Sequence, residues 1–246
     1  MKKIAIMQPT YLPWLGYFGL MAHVDEFVFL DDVQFARRSW QQRNRIKGPA
    51  GPMMLTIPVL KKGRRSQLIK DVEIDWPSGF DRKHLRAIEL IYSNAPYWQT
   101  YVQSIRELFS KPNHCLAEYT IAIICQLNVL LGIRTPLLRS SDLPVVGMKE
   151  DRLVDICKVR AASVYVSAPG SQSYLEGTDA FASAGIDLVY AQYNHPAYAQ
   201  MHGEFVSHMS VIDVLLNCGP KSGDMVRKSV TSCAPNLLKT GPSCDA

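Results

Sequence analysis

The chain of 246 residues lacks the motifs that mark several common classes of enzyme and membrane protein. No stretch approaches the roughly 20 consecutive apolar residues that a transmembrane helix needs, so we expect no membrane span. The sequence has no HExxH, no CxxC pair, no P-loop and no GxGxxG after an apolar run. Because these motifs supply metal ligands or phosphate-binding loops, their absence argues against zinc, iron–sulfur and P-loop ATPase roles and against a dinucleotide-dependent oxidoreductase.

The cysteines and the charge also exclude some classes. The six cysteines have no paired spacing, and three fall in apolar, helix-like segments, which is typical of reduced thiols in a cytoplasmic protein. The first apolar run stops at Gln8, too early for a signal peptide, so we expect a cytoplasmic location. The net charge of +5 includes no sustained block of Lys or Arg. We therefore expect an anionic small molecule, and no nucleic acid, as the partner.

What the sequence does contain is an alternation of strand-like and helix-like segments. Residues 4–6 are apolar, a helix-like stretch covers residues 18–24, and residues 27–30 are apolar again, which predicts a βαβ unit. Further buried strands are predicted at residues 135–139, 163–167 and 186–190. The fold class that follows is α/β, with a Rossmann-like, mostly parallel sheet and helices on both of its faces.

The other segments set the predicted domain organisation. Apolar residues recur at helical spacing in three stretches between residues 80 and 132, which predicts a helical insertion. Residues 1–220 are predicted to form a single α/β domain. Residues 221–246 are rich in Ser, Lys, Pro and Gly, so we expect a flexible or docked C-terminal tail. We also expect a strand at residues 53–59, with residues 72–75 as its hairpin partner.

Polar residues follow the ends of the predicted strands. In open parallel sheets the ligand lies outside the carboxyl ends of the strands. Several strands contribute an amide, carboxylate, hydroxyl or imidazole at this position: Gln8, Asp31, Asp32, Ser140, Ser167 and His195. No single strand supplies the set, so we predict that these groups meet in one cleft that binds a small-molecule substrate.

The loop after the first strand is aromatic rather than glycine-rich. Tyr11, Trp14 and Tyr17 offer stacking surfaces with hydroxyl and indole donors. Such a loop suits the binding of a ring or of a pantetheine-like arm. The alternative is a turn that only packs the first helix on the sheet.

Two adjacent acids follow the second strand. Asp31 and Asp32 could hold a metal, accept a hydrogen bond from a sugar hydroxyl or, for Asp32, act as a base. Gln34 follows them as a further substrate-binding candidate. A helix cap or a turn is the alternative interpretation of the two acids.

Two arginines flank an asparagine in the polar stretch that comes next. If this stretch is extended, Arg43 and Arg45 lie on one face, because side chains alternate along a strand. A forked pair of guanidinium groups suits a phosphate or a carboxylate, with Asn44 between them. Surface salt bridges are the alternative.

The segment after the last predicted strand is the strongest candidate for chemistry. His195 can take or give a proton near neutral pH, and Tyr198 and Gln200 follow it. Asp213 and Asn217 lie four residues apart on a predicted helix, hence on one face, and Asp213 is predicted to orient His195. A hydrogen-bonded structural histidine is the alternative.

Several separated motifs recur in order along the chain: Gln8-Pro9-x-Tyr11-x-Pro13-Trp14-x-Gly16-Tyr17, Asp31-Asp32-x-Gln34-Phe35, Arg43-Asn44-Arg45, His195-Pro196-x-Tyr198-x-Gln200 and Ser210-Val-Ile-Asp213. Together they resemble the WbqC-like family over about residues 3–220. That family occurs in bacteria, often encoded among genes for the assembly of surface polysaccharides or natural products, so the resemblance implies a pathway context.

The aromatic loop is also similar to a frame found in HxGH nucleotidylyltransferases. In Pro13-Trp14-Leu15-Gly16-Tyr17, Trp14 and Tyr17 stand where that family has its two histidines. Those histidines stabilise charge on the transferring phosphates, which neutral Trp and Tyr cannot do as cations. The similarity therefore implies kinship of fold rather than of chemistry.

Three functional hypotheses follow. The first is a transferase that moves an acyl or aminoacyl group to an amine or hydroxyl, from a carrier thioester or onto a nucleotide-linked sugar, with an acyl or peptidyl carrier protein as a candidate partner. The second is a nucleotidylyltransferase-like enzyme, and only this one calls for a cofactor, Mg²⁺ at Asp31 or Asp32. The third is a binding factor of the same pathway without catalysis. No resident metal is predicted otherwise.

Overall fold

The computed structural model describes residues 1–64, 66–175 and 177–231. In chain order the helices and strands are β1 (Lys3–Met7), α1 (Leu15–Ala22), β2 (Glu26–Phe29), β3 (Arg43–Gly48), β4 (Gly51–Thr56), α2 (Phe80–Tyr92), α3 (Trp98–Ser110), α4 (Leu116–Leu130), β5 (Leu137–Arg139), α5 (Lys149–Val159), β6 (Val164–Ser167), α6 (Gln172–Leu175), α7 (Ala180–Ser183), β7 (Asp187–Tyr190), β8 (Gln192–Tyr193), α8 (Val211–Cys218), α9 (Ser222–Lys228) and β9 (Val230–Thr231).

Five of these strands form a parallel sheet in the order β5-β2-β1-β6-β7. All five lie where the sequence predicts buried strands. The direction of winding reverses between β1 and β6, and in open α/β sheets a crevice forms at such a point. The structure confirms the predicted α/β class with a Rossmann-like parallel sheet.

Helices cover both faces of the sheet, as predicted. In β1, Ala5 packs on one face with α1, α8 and α9, while Ile4 and Ile6 pack on the other face with α5 and α7. Both faces of β1 are buried, which explains its continuous apolar run. Residues on the two faces belong to separate apolar clusters that the sheet divides.

The helices α2, α3 and α4 occupy the stretch predicted as a helical insertion. In α2 the side chains of Phe80, His84, Ile88 and Ile91 form a buried stripe at helical spacing. The hairpin prediction is confirmed only at its end. β4 pairs with β3 instead, whereas residues 72–75 pair with residues 58–60 just after β4, with a bridge between Val59 and Ile74.

The segment after α8 packs back onto the first helix. Within the predicted tail, α9 and β9 lie against α1, and Val226 and Val230 are buried there. Residues 232–246, with Cys233 and Cys244, lie outside the described residues. Within the part of the chain that the structure describes, none of the helices combines the length and the apolar character that crossing a bilayer requires.

Candidate functional site

A cleft made of three adjoining pockets runs along the carboxyl edge of the sheet. The central pocket, about 370 Å³, shares Met7, Thr10 and Trp40 with one neighbour and shares Gln8, Leu30, Leu153 and Tyr174 with the other. The aromatic pocket, about 330 Å³, is lined by Met7, Thr10, Trp14, Tyr17, Trp40, Asn44, Arg45 and His208. The acidic pocket, about 720 Å³, is lined by Gln8, Leu30, Asp32, Val33, Gln34, Leu68, Val146, Gly147, Met148, Lys149, Arg152, Leu153 and Tyr174.

The acidic pocket contains the second of the two adjacent acids. The carboxylate of Asp32 pairs with the guanidinium of Arg152 and accepts a hydrogen bond from Ser140 Oγ at 2.6 Å. Gln34 is exposed on the wall of the same pocket. Asp32 thus faces the cleft with its charge already matched by an arginine.

The first acid, Asp31, is fully buried below the cleft. Both of its oxygens accept hydrogen bonds from Ser140 or Ser141, and Oδ2 also pairs with Arg139 at 2.7 Å. Buried carboxylates need such partners, because desolvating an unpaired charge is costly. The prediction of Asp31 as a substrate-binding residue is therefore corrected to a structural ion pair that joins β2 to β5.

The lining of the central pocket combines apolar surface with hydroxyl and amide groups. Gln8 Oε1 accepts a hydrogen bond from Gln41 at 2.7 Å, and its backbone oxygen accepts one from the Tyr17 hydroxyl. On the opposite side, the Oγ atoms of Ser167 and Ser171 are 2.5 Å apart. The structure thus brings Gln8 and Ser167, from neighbouring strands, to one cavity.

In the aromatic pocket, Trp14 is surrounded by three other rings. Its indole lies 4.8 Å from the ring centroid of His208, 4.9 Å from Tyr193 and 6.0 Å from His195. The structure therefore brings the first strand's loop and the last strand's loop together, as the sequence predicts. At the rim, the guanidinium of Arg45 lies 5.4 Å from the ring centroid of Trp40, within range of a cation–π contact.

Backbone geometry explains how this pocket is formed. A Cβ on Gly16 would come within 2.2 Å of the Trp14 indole, so only glycine lets the ring lie over the first turn of α1. Leu12, Arg38 and His208 all have positive φ, at 43°, 57° and 61°, and lie at or within two residues of the pocket's rings. Strained backbone of this kind is concentrated at binding sites in many proteins.

The two arginines of β3 have charges that no described residue neutralises. Arg43 and Arg45 alternate with the buried Asn44 and Ile46, as predicted for an extended stretch. The Nε atoms of both arginines are buried and have no hydrogen-bond partner among the described residues. Asn44 instead has a structural contact, because its amide donates to the carbonyl oxygens of Tyr11 and Leu12.

The other two rings of the aromatic loop are largely withdrawn from the cleft. Tyr11 is fully buried, its hydroxyl lies 2.8 Å from His84 Nδ1, and burial raises its pKa well above the usual value. Tyr17 touches the aromatic pocket but is buried against Phe18 and Phe27. The stacking role predicted for Tyr11 is therefore corrected to a packing role, and Trp14 remains the accessible ring.

Asp213 is the centre of a buried hydrogen-bonding network. Its carboxylate accepts from Tyr92 at 2.7 Å, from Tyr198 at 2.8 Å and from Gln200 at 2.9 Å. Burial raises the pKa of Asp213, and it raises the pKa of Tyr198 as well. Among the described residues no hydrogen bond joins Asp213 to His195, so the predicted direct orientation is corrected.

This network fixes the long loop between β8 and α8. Gln200 also donates to the oxygen of Val206, and Asn217 Oδ1 accepts from the backbone of Met201. The ammonium of Lys47, which is buried, donates to the carbonyl oxygens of Gly203 and Glu204. The candidates Tyr198, Gln200 and Asn217 therefore act on the loop rather than line a pocket.

His208 is a titratable residue of the aromatic pocket that was not predicted from the sequence. His208 lines the aromatic pocket because the loop just after it is hydrogen-bonded to the walls, with Ser210 N donating to Arg45 O and Val211 N to Pro13 O. Desolvation lowers its pKa and, more weakly, so does the nearby Arg45. The only local signal was its position just before the helix N-cap Ser210.

Comparison with known proteins gives one family. A sequence model described as the WbqC-like protein family matches residues 8–225. The chain is 36% identical over 232 residues to the uncharacterized protein Rv1507c of Mycobacterium tuberculosis. The aligned region covers 92% of this chain and 98% of that protein. No solved structure matches significantly.

Proposed function

The chain belongs to the WbqC-like protein family, and from this premise we propose that it is a transferase of small-molecule biosynthesis. It moves an acyl or aminoacyl group to an amine or a hydroxyl in the assembly of a surface polysaccharide or a natural product. The observation that carries this proposal is the continuity of the cleft. Its two ends differ in chemistry, which suits the simultaneous binding of two different substrates.

The aromatic pocket suits the donor. Two indoles, of Trp14 and Trp40, offer apolar surface to an acyl group or a pantetheine-like arm. Arg45 supplies a guanidinium with no acceptor among the described residues, and an anionic handle on the donor would satisfy it. Arg43, two residues away on the same face of β3, adds positive potential. A carrier thioester has both an acyl group and a phosphate.

The acidic and central pockets suit the acceptor. The carboxylate of Asp32 and the amides of Gln8 and Gln34 can accept hydrogen bonds from sugar hydroxyls or from an amine. The exposed Lys149 lines the same pocket and favours a nucleotide-linked sugar, whose diphosphate is anionic. The acceptor nucleophile would then lie at the boundary of the central and aromatic pockets, which share Met7, Thr10 and Trp40.

The nucleotidylyltransferase alternative has less support. The carboxylate of Asp31 does not fit a Mg²⁺ ligand, because both its oxygens are engaged by Arg139, Ser140 and Ser141. Asp32 is paired with Arg152. We therefore assign no step to a metal ion at these two acids.

Calorimetry tests the proposal. We expect an acyl-pantetheine thioester and a nucleotide-linked amino sugar to bind at separate sites, and mass spectrometry to detect the acylated sugar when both are present. The Arg45→Ala variant should lose donor affinity, while Arg86→Ala, at an exposed arginine on α2, serves as the matched control. Binding of ATP or CTP with Mg²⁺ instead would favour the nucleotidylyl alternative, and binding of either ligand without any product would favour the non-catalytic one.

A further inference from the structure

Two imidazoles lie against Trp14, and they differ in what their nitrogens contact. The ring of His195 is half-buried between Tyr198 and Phe205 as well as Trp14. The ring of His208 is exposed, lines the aromatic pocket and lies closer to the indole. Their hydrogen bonds decide which of the two can exchange a proton with a ligand.

Both nitrogens of His195 are engaged by the backbone. Nε2 lies 3.1 Å from the amide nitrogen of His208, and because an amide N–H only donates, Nε2 is the acceptor. Nδ1 lies 3.1 Å from the carbonyl oxygen of Pro196, to which it donates. The lone pair that a general base would use is therefore already occupied by the neighbouring loop.

His208 has the complementary arrangement. Its Nδ1 lies 2.8 Å from Ser207 Oγ, and Nε2 has no hydrogen-bond partner among the described residues. Its backbone has a φ of 61°, a conformation that is unfavourable for a residue with a side chain. The hydrogen bond from His208 N to His195 Nε2 supports this conformation and so holds the ring at the pocket.

We propose that His208 is the catalytic base of the aromatic pocket and that His195 is a positioning residue that holds the His208 backbone. This inference rests on the proposed function. In the transfer step, His208 Nε2 takes the proton from the acceptor's N–H or O–H, and the acceptor's lone pair forms a bond to the acyl carbon. The bond from that carbon to sulfur breaks, and the thiolate takes the proton back from His208.

Carbethoxylation by diethyl pyrocarbonate distinguishes the two rings without any assay of turnover. The reagent modifies an imidazole nitrogen that has a free lone pair. At pH 7, peptide mass spectrometry should show His208 reacting at a rate within a few fold of the exposed His114, and His195 reacting at least fivefold more slowly. Faster modification of His195 than of His208 would overturn the assignment.

Chemical rescue tests the catalytic role. Thiol release from an acyl-pantetheine thioester, with a nucleotide-linked amino sugar as the acceptor, should fall at least 100-fold in His208→Ala and recover with added imidazole, while His114→Ala keeps the wild-type rate. His195→Gln, which retains an acceptor oxygen for the His208 amide, should keep more of the rate than His195→Leu. Added imidazole should rescue neither His195→Gln nor His195→Leu.

The outcomes separate the two proposals. An active wild type with an equally active His208→Ala variant, or rescue by imidazole of His195→Leu alone, overturns the assignment of the base and leaves the transferase proposal in place. A wild-type protein that releases no thiol from the acyl-pantetheine thioester overturns the transferase proposal and the base assignment together.

Discussion

The two ends of the cleft differ in whether their charged side chains have ion-pair partners. At the acidic end, each carboxylate after β2 has its own arginine, Arg139 for Asp31 and Arg152 for Asp32. At the aromatic end, Arg45 has no acidic partner among the described residues and lies over an exposed indole. Removing one partner of an ion pair inside the protein destabilises the fold, because it leaves a buried charge uncompensated, whereas a charge without a partner at a pocket is available to a ligand.

The same contrast holds for the histidines and the acids of the site. Asp213 and His195 are the sequence's most obvious catalytic pair, yet the structure gives both of them internal partners. Nε2 of His208 has no hydrogen-bond partner in the described part of the chain. The comparison therefore predicts that substitutions at paired groups mainly lower the free energy of unfolding. Substitutions at groups without a partner mainly change ligand binding or reaction rate.

The largest effect on stability is expected for Arg139→Met. It leaves the fully buried Asp31 without its cation, and breaking a buried ion pair on one side costs about 3–5 kcal/mol. Urea unfolding followed by circular dichroism measures this. The matched change Arg45→Met should alter the unfolding free energy by less than about 0.5 kcal/mol. Equal losses in the two variants would contradict the comparison.

A smaller loss of stability is expected for Asp213→Asn. The amide keeps the shape but places an NH₂ against groups that donate to the carboxylate, and an unmade buried hydrogen bond costs about 1–3 kcal/mol. Denaturant unfolding at pH 7, with the exposed Asp224→Asn as the control, measures it.

The same variant has a predicted pH dependence. Because burial raises the pKa of Asp213 in the folded state, the folded protein binds this proton more tightly than the unfolded chain does. Its contribution to stability is present below the unfolded pKa and is lost as the pH rises through the folded pKa. The difference in unfolding free energy between the wild type and Asp213→Asn should therefore shrink as the pH rises from the unfolded-state pKa of Asp213 through its folded-state pKa. A deficit that grows instead would mean that the carboxylate is stabilised in its charged form.

A change in binding, rather than in stability, is expected for Arg45→Ala. Losing the guanidinium should weaken the binding of the anionic donor about tenfold, which corresponds to about 1.4 kcal/mol of binding free energy. Calorimetry with the thioester, beside Arg86→Ala, measures it. Arg45→Lys should recover only part of the affinity, since an ammonium cannot form the bidentate contact. Unchanged affinity in Arg45→Ala would remove Arg45 from the site.

The smallest change in the molecule is Gly16→Ala. The added methyl group would meet the indole of Trp14 at 2.2 Å, so the ring has to move away from α1. We expect altered tryptophan fluorescence and loss of donor binding, while the acceptor still binds at the other end of the cleft. Gly170→Ala, where an added Cβ meets nothing within 4 Å, is the control. Donor binding that survives would show that the indole position is not needed.

Much of this molecule follows from local sequence patterns. The five parallel strands, the helices on both faces and the helical insertion all lie where apolar periodicity puts them, since side chains that face a core must recur at the period of their own element. The meeting of Trp14 with His195 also follows, because the loops after parallel strands share one edge.

What the sequence by itself determined is therefore the order of the elements and the edge at which polar groups gather. Only the tertiary structure decided which of those groups are neutralised. Asp31 and Arg139 lie 108 residues apart, and Asp32 and Arg152 lie 120 apart. Such pairs depend on the spatial order of strands, which local periodicity does not encode. His208 reaches the pocket for the same reason, through backbone hydrogen bonds to distant segments at Pro13 and Arg45.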